Sequence, residues 1–488
     1  MRTELKQRGS ITLFAVLSML LVMGFLLTLL EGVRVKELHR MAGLRTQMAV
    51  EAVFANYSTV LWENYHLLGC SLEAAEELIL QSADSNGAGY NMGVNFLLLE
   101  LEDMEIGGCT LITDGNGAAY MHAVSSYMKR NILYETAKMI FNQYDSIKHL
   151  LDSNQKDGTE IEKALEGLEA LEAAENVSNQ NTGSSAQSQG TAGGNQKEEN
   201  PLEEVQRVQK TQLLELVVPD TATLSTSQYD MSQAVSKRTL NEGWNCSIEE
   251  TEWLDRVLLQ QYLLTYFADY SNPQSDRGLQ YELEYLIGGA DSDIENLRTV
   301  VNGLLLIRET ANFVYLMSDS DKVLQVELLA TILGGVTAQP ELIEVVKIGL
   351  LLAWAFAESV LDVRALLQGK KIPLIKGEDT WTLALENIGT LEEEYLVAKE
   401  SEMGISYKTY LGILLLLQED KQLAYRAMDV QEISMQAKNT SMRMDNLVVR
   451  MRVTNTYSAA PVFCSFKTQK ISGGWDYRIS ATAEYGYD

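Results

Sequence analysis

The chain has 488 residues, of which 46% are apolar, so it can bury a large core and is expected to fold as about two to four structural units. Its formal net charge is −28 at pH 7. Nucleic-acid binding needs a cationic surface that displaces counterions from phosphates, so this charge argues against nucleic acid as a partner.

A short basic segment, residues 1–9, precedes an apolar run over residues 10–30 that contains no charged side chain. As a helix this run would be about 31 Å long at about 1.5 Å per residue, and a bilayer core is about 30 Å thick. The run is longer than the apolar core of a secretory signal, which has about 7–15 residues. It also ends in Glu31 and Arg34 rather than in a small-residue cleavage site. We therefore predict a transmembrane helix over residues 10–30, with the lipid bilayer as a partner.

The orientation of this helix follows only from the charge of the whole chain. Lys and Arg flank the run on both sides, so the positive-inside rule gives no direction. Residues 1–45 carry seven Lys/Arg and three Asp/Glu, so the rest of the chain has a net charge of −32. A body with this much negative charge is not attracted to the anionic lipid of the cytoplasmic leaflet. We predict a single-pass protein of the cell membrane, with a cytoplasmic N-terminus and an extracytoplasmic body.

Residues 31–150 are predicted to form a long helix and then a strand-containing region. Apolar residues recur at three- and four-residue steps from Met41 to Tyr65, which indicates an amphipathic helix that continues the anchor. Leu99 and Leu101 then alternate with glutamates, which indicates a strand, although the phase slips at Asp103.

Residues 151–210 differ in composition from the rest of the chain. A short acidic helix is predicted first. The tract that follows, over residues 176–200, is too polar and too poor in aromatic residues to bury a core. We predict that it is a disordered loop.

Residues 211–440 are predicted to form a helical bundle, because apolar residues recur at helical spacing between Gly, Pro, Asp and Ser. The predicted helices span residues 253–270, 294–317, 323–333, 341–367 and 407–428.

In residues 441–488 the apolar period changes from 3.6 to 2, which predicts antiparallel strands beginning near Leu447, Val462 and Trp475. Gly473 and Gly474 lie where a hairpin turn is needed. The strand near Leu99 is expected to join this sheet. The predicted fold class is therefore α+β, mainly α: a transmembrane helix that continues into a long amphipathic helix, a small antiparallel sheet, and a large inserted helical bundle.

Residue types that usually carry chemistry form no motif in this chain. The four histidines fit no metal-binding or catalytic pattern, and no phosphate-binding loop or nucleophile elbow is present. The four cysteines are far apart in the sequence, which allows either disulfides or free thiols. They are Cys70, Cys109, Cys246 and Cys464. We predict no enzymatic activity, no catalytic residue, no bound metal and no cofactor.

The sequence DSDIEN, residues 291–296, allows two interpretations. Asp291, Asp293 and Glu295 resemble the opening of a calcium loop, but the loop's conserved glycine and final acid are missing. The stretch also fits a capping box, in which Ser292 accepts from a free backbone N–H and Glu295 reaches back to the cap. We predict the helix cap.

Three blocks carry a resemblance to a known group of proteins. They are RGSITLF with LLEGVRV at the N-terminus, LEYLIGGADSDIENLRTVVNGLLLIRETANFVYLMSD over residues 283–319, and LLLAWAFAESVLDVRALLQGKKIPLIKG over residues 350–377. Together they resemble an uncharacterised family of membrane-anchored proteins from Gram-positive anaerobes, often encoded beside tight-adherence (Tad) pilus or type II secretion-like genes. That family has no assigned catalytic residues.

The N-terminus is also similar to TadE-like minor pilins, whose leader ends in a basic residue and glycine before an apolar helix. By this resemblance the leader would be processed between Gly9 and Ser10. Pilin-type helices usually have Glu at the fifth mature position, which here is Phe14.

Three functional hypotheses follow. The first is a non-enzymatic, membrane-anchored extracytoplasmic component of a Tad-like pilus or secretion apparatus, with other proteins of that apparatus as partners. The second is a surface-displayed binding or adhesion module outside any filament. The third is a membrane-tethered enzyme, which a cleft lined by convergent acids and histidines would support.

Overall fold

The computed structural model describes residues 2–88, 97–131, 213–218, 224–248, 250–274, 277–334, 340–390, 396–463 and 476–487. The disordered loop and acidic helix predicted within residues 151–210 lie outside these ranges. The chain divides into two compact units. The sheet unit comprises residues 1–127, 239–255 and 438–488, and the helical unit comprises residues 128–238 and 256–437. Residues 239–255, predicted in the bundle, belong to the sheet unit because Trp244 pairs with Cys109 of a sheet strand.

The elements run as follows. The first part contains α1 (Arg2–Ala55), α2 (Thr59–Tyr65), β1 (Cys70–Ser71), α3 (Leu72–Ala88), β2 (Glu100–Leu111), α4 (Ala118–Asn131) and α5 (Leu213–Val217). The middle contains α6 (Trp253–Tyr266), α7 (Glu282–Gly288), α8 (Asp293–Ser318), α9 (Ser320–Gly334) and α10 (Pro340–Leu367). The last part contains α11 (Tyr407–Leu416), α12 (Asp420–Gln436), β3 (Leu447–Ala459) and β4 (Tyr477–Gly486). The protein is mainly helical, as predicted.

The antiparallel sheet is organised around β3. Strand β2 pairs along one edge of β3, and β4 and the short β1 pair along the other. The predicted strand near Leu99 is thus confirmed as β2, and its predicted phase slip coincides with a register shift between Leu101 and Asp103. From Met451 onward the predicted alternation is confirmed, since Met451 and Val453 are buried while the intervening Arg452 is half-buried. At the start of β3 it is not, because Val448 is buried and Val449 is half-buried, next to a register shift in the pairing with β2.

The middle strand predicted at the C-terminus, near Val462, does not begin where expected. Val462 lies in a bend rather than in a strand, and the rest of that segment, with the Gly473-Gly474 turn, lies outside the described residues. The final predicted strand is β4, which pairs with β3 from Tyr477 to Gly486.

The amphipathic helix is shorter than predicted, because α1 ends at Ala55 rather than continuing to Tyr65. The Ser58 N–H donates to the Gly69 carbonyl at 2.9 Å, and Tyr57 forms a bridge with Cys70. The Ser58 hydroxyl then caps α2 by accepting from the Leu61 N–H. The chain turns here because Cys70 must reach its place beside Val448 in the sheet.

The predicted helices of residues 211–440 are present, but the first ends at Tyr266 rather than at residue 270, and the last is broken. Residues 407–428 were predicted as one helix, but α11 ends at Leu416 and α12 begins at Asp420. Arg256 donates to the carbonyls of Leu416 and Gln418 at 2.9 Å each, which satisfies carbonyl groups that a helix end leaves open. Arg256 therefore stabilises the break between α11 and α12, whereas the apolar periodicity alone predicts one continuous helix.

Candidate functional site: the anchor helix and its junction with the sheet

The first half of α1 is an exposed apolar rod. Nearly all of its large apolar side chains from Ile11 to Leu30 are exposed, for example Leu21 at 74% and Leu30 at 50%. This part of α1 is long and apolar enough to cross a membrane, and none of its most apolar window is buried in the protein. It is therefore a candidate membrane span, in agreement with the prediction for residues 10–30.

Two hydroxyl groups within the exposed half find partners inside the helix. The Ser18 hydroxyl donates to the Ala15 carbonyl at 2.9 Å, and the Thr28 hydroxyl donates to the Phe25 carbonyl at 2.8 Å. Bilayer hydrocarbon offers no hydrogen-bond partner, so an unsatisfied hydroxyl would be costly there. These contacts make both residues compatible with a span.

The second half of α1 is part of the core of the sheet unit. Val50 and Val53 are fully buried and pack with Met451 and Val453 of β3. Nearer the anchor, the Arg45 guanidinium donates to the Leu99 carbonyl at 2.8 Å. Anchor and body therefore share one continuous helix, Arg2–Ala55.

A buried ion pair marks the boundary between the two halves. Arg34 donates to the Glu31 carboxylate at 2.8 Å, and both side chains are at most 5% exposed. Glu31 also accepts from the backbone N–H of Phe463 at 2.8 Å, and Arg34 donates to the Leu97 carbonyl at 2.7 Å. The two charges that end the apolar run thus fasten the segments before β2 and after β3 to the base of the anchor.

The predicted processing residues, Gly9 and Ser10, lie in the first turns of α1, and their side chains lie outside the described part of the protein. Phe14, at the position where pilin-type helices usually have Glu, is exposed at 73%.

The predicted cap residues are placed as expected but make different contacts. Ser292 is the N-cap of α8, yet its side chain makes no capping hydrogen bond, and Glu295 is exposed in the first turn. The reason is that backbone pairing with residues 227–229 already fixes this segment, since the Asp293 N–H donates to the Ser227 carbonyl. The Asp293 carboxylate turns inward and accepts from Ser225 at 2.6 Å. The capping-box prediction is therefore wrong in its hydrogen bonds, although the helix begins where it was expected.

No calcium loop forms at this stretch either. The exposed Asp291 carboxylate pairs with Lys237 at 3.1 Å, whereas the buried Asp293 carboxylate accepts from Ser225. Across the described ranges, no group of three or more His, Cys, Asp or Glu side chains is arranged to hold a metal ion.

The three cysteines that the structure describes, Cys70, Cys109 and Cys246, are free thiols, and Cys464 lies outside the described residues. Burial raises the pKa of Cys70 and of Cys109 to about 12. Both thiols therefore stay protonated, and poorly nucleophilic, at neutral pH.

One cavity in the sheet unit bears on the enzyme hypothesis. It has a volume of about 180 Å³, and it is lined by Thr110, Ala119, His122, Ala123, Ser126, Ser247, Ile248, Val449, Arg450 and Tyr487. The His122 Nδ1 atom lies 3.9 Å from Asp255, an ion-pair distance that is too long for a hydrogen bond. No Asp or Glu side chain is among the described residues that line this cavity. It therefore differs from the cleft, lined by acids and histidines, that would support the enzyme hypothesis.

The helical unit contains a buried cluster of charged side chains that the sequence analysis did not identify. Arg308, Glu358, Asp362 and Lys376 are each at most 3% exposed, and they pair with one another. One signal was present in the sequence: Glu358 and Asp362 are four residues apart within an otherwise apolar helix, so they share a face that must be buried.

Comparison with known proteins gives one match. A model described as a family of unknown function, DUF5702, matches residues 192–459, which is more than half of the chain. The match includes two of the blocks quoted above, residues 283–319 and 350–377, while α1 lies outside it. No curated protein and no solved structure matches the chain.

Proposed function

We propose that this chain, which belongs to the DUF5702 family, is a non-enzymatic, membrane-anchored component of a Tad-like pilus or type II secretion-like assembly, with its body outside the membrane. On this proposal the exposed half of α1 lies in the bilayer, and the remainder offers an assembly surface to other proteins of the apparatus. The proposal includes the cytoplasmic N-terminus predicted from the charge distribution.

The observation that carries the proposal is the continuity of α1. A displayed binding module needs only a tether, and a flexible linker after the span would provide one. In this protein the span runs without interruption into a helix whose buried face forms part of the sheet core. The Glu31–Arg34 pair fastens two further segments at the boundary. Such a connection fixes the sheet unit relative to the anchor, which suits a positioned part of an apparatus better than a freely displayed module.

Two further features support the same proposal. The N-terminal sequence is similar to TadE-like minor pilins, and Arg8-Gly9 precedes an apolar helix as a pilin-type leader does. The body is strongly acidic, which disfavours its lying against anionic lipid and agrees with a body held away from the membrane surface.

The intact mass of the protein from membranes of its native host tests the anchor part of this proposal. We expect a chain that begins at Ser10, because a prepilin-type peptidase would cut after Gly9 and leave the apolar helix in place. A Gly9→Val variant serves as the control, and it should retain Met1 because the bulkier side chain blocks the cleavage position.

Two other masses would contradict parts of the proposal. A wild-type chain that still begins at Met1 would rule out leader processing and leave a fixed anchor. A chain that begins near residue 31 would mean that the apolar run is a removed signal, and the proposal of a membrane-anchored component would fail.

A further inference from the structure

The buried charged cluster of the helical unit brings an amine against two carboxylates. Lys376, in the loop after α10, extends its ammonium group into the core, where it contacts Glu358 and lies 2.6 Å from Asp362 Oδ1. All three side chains are shielded from solvent, and the indole ring of Trp381 lies 5.7 Å from the ammonium nitrogen. Asp362 and Glu358 are on the same face of α10, one turn apart.

The oxygen atoms of the two carboxylates have different surroundings. Glu358 accepts from two backbone N–H groups, those of Thr382 at 3.0 Å and Leu383 at 2.8 Å, one on each oxygen. Asp362 Oδ2 accepts from Arg308 at 3.0 Å and from Asn312 at 2.9 Å. Among the described residues, Asp362 Oδ1 accepts no hydrogen bond of good geometry, and its recorded contact is the ion pair with the Lys376 ammonium.

We propose that Lys376 and Asp362 condense to an intramolecular amide, an isopeptide bond between Lys376 Nζ and Asp362 Cγ. The new C–N bond replaces the Cγ–Oδ1 bond, and Oδ1 leaves as water. Two protons move from the Lys376 ammonium to Oδ1, and Glu358 carries them by accepting each proton and passing it on. Glu358 ends in its starting state, so the step consumes no other reactant and releases one water molecule.

Several features of the site favour this reaction over a permanent ion pair. Reacting groups held in contact have effective concentrations of about 10⁵–10⁸ M, which can offset the poor reactivity of a carboxylate. Burial raises the pKa of Glu358, so this carboxyl group can hold a proton and transfer it. Arg308 and Asn312 donate to Oδ2, the oxygen on which negative charge develops as the amine attacks.

The same contacts identify Asp362 rather than Glu358 as the acyl partner. Loss of an oxygen from Glu358 would leave the N–H of Thr382 or Leu383 without its acceptor, which is costly in a buried site. Loss of Asp362 Oδ1 leaves no donor unsatisfied. The product is also balanced in charge, because the Lys376 and Asp362 charges disappear together and the Arg308 and Glu358 charges remain.

Peptide mass spectrometry of the full-length protein, purified in detergent and digested with trypsin, tests the proposal. We expect the peptides over residues 348–364 and 372–399 to be joined, lighter by one water than their sum, with fragmentation placing the branch at Asp362. Lys376 would no longer be a cleavage site, so the free peptide over residues 372–376 would be lost. The variant Glu358→Gln should restore that free peptide, whereas Glu344→Gln, at an exposed position on the same helix, should not.

The wild-type digest alone can overturn the proposal, so the test does not depend on how well the variants fold. A free peptide over residues 372–376 from a protein with the expected helical circular dichroism would show that the cluster is only an ion-pair network. A branch at Glu358 would contradict the assignment of Asp362. Full cross-linking in a folded Glu358→Gln variant would contradict the proton-transfer role of Glu358.

Discussion

Removal of residues 2–30 is expected to convert the protein from a membrane-bound form to a soluble one. The deleted residues include the exposed apolar half of α1, whose side chains contribute nothing to the core of the sheet unit. Transfer of each Leu, Ile, Phe or Val to the centre of a bilayer gains about 0.3–0.6 kcal/mol, so the whole run contributes several kcal/mol to membrane insertion. The truncated chain keeps Glu31, Arg34 and the buried half of α1, and it should therefore keep its fold.

The measurement is fractionation after alkaline carbonate extraction, which removes peripheral proteins and leaves integral ones. The matched control replaces Leu20 and Leu21 by Ala, which shortens two exposed side chains and leaves the span uncharged. We expect the full chain and this control in the membrane pellet and the truncated chain in the supernatant. A full chain that is released by carbonate would contradict the anchor.

The same cells report on orientation. Protease added to intact cells should cut within the polar tract of residues 176–200, because the proposal places the body outside the membrane. Cutting that appears only after lysis would reverse the topology.

The second large effect is expected from Arg308→Met in the helical unit. Arg308 is fully buried and binds Asp362 at 2.9 Å, with a further hydrogen bond to the Tyr410 hydroxyl group at the same distance. Removing one member of a buried charge pair costs about 3–5 kcal/mol, because the other charge is left without compensation. If the isopeptide bond has formed, the Asp362 charge is gone, but the carbonyl groups of Pro373 and Leu374 still lose the donor that Arg308 provides, so a cost remains.

Denaturant unfolding of the full-length protein in detergent, followed by tryptophan fluorescence, measures this effect. Trp354 and Trp381 lie in the same unit, and both donate to the Leu383 carbonyl beside the cluster. The control is Arg298→Met, at an exposed position on the same helix, for which we expect a change within about 0.5 kcal/mol. A loss of less than about 1 kcal/mol for Arg308→Met would mean that the cluster does not depend on this charge.

The coarse architecture could be read from the sequence because it depends on periodicity and length. An uncharged apolar run predicts a candidate span whatever the rest of the chain does, and alternation along β3 and β4 follows from one buried face. The pairing of β2 with β3 links segments more than 300 residues apart, yet two short stretches of alternating residues were sufficient to suggest it.

What sequence analysis missed depends on tertiary partners. The end of α1 at Ala55 is accompanied by the bridge between Tyr57 and Cys70. The local signals there, Asn56 and the N-cap Ser58, are outweighed in the sequence by apolar periodicity that continues to Tyr65. Ser292 has the right residue type for a cap, but pairing with residues 227–229 determines its backbone instead.

The buried charged cluster was missed for a related reason. Charged residues in a helix are usually interpreted as a solvated face, and nothing local shows that Lys376, in a basic loop, reaches the carboxylates of α10. Carboxylates spaced four residues apart in an apolar helix are the feature that, in retrospect, predicts a buried counter-charge.

The proposal of a pilus or secretion component is tested most directly by deleting the gene in the native host and restoring it with either the full chain or residues 31–488. The measurement is the number of surface filaments per cell, together with the amount of secreted protein. We expect both to fall on deletion and to recover only with the full chain, because the component must be anchored to act. Filaments and secretion that stay at the wild-type level after deletion would contradict the proposal and leave the displayed binding module as the better hypothesis.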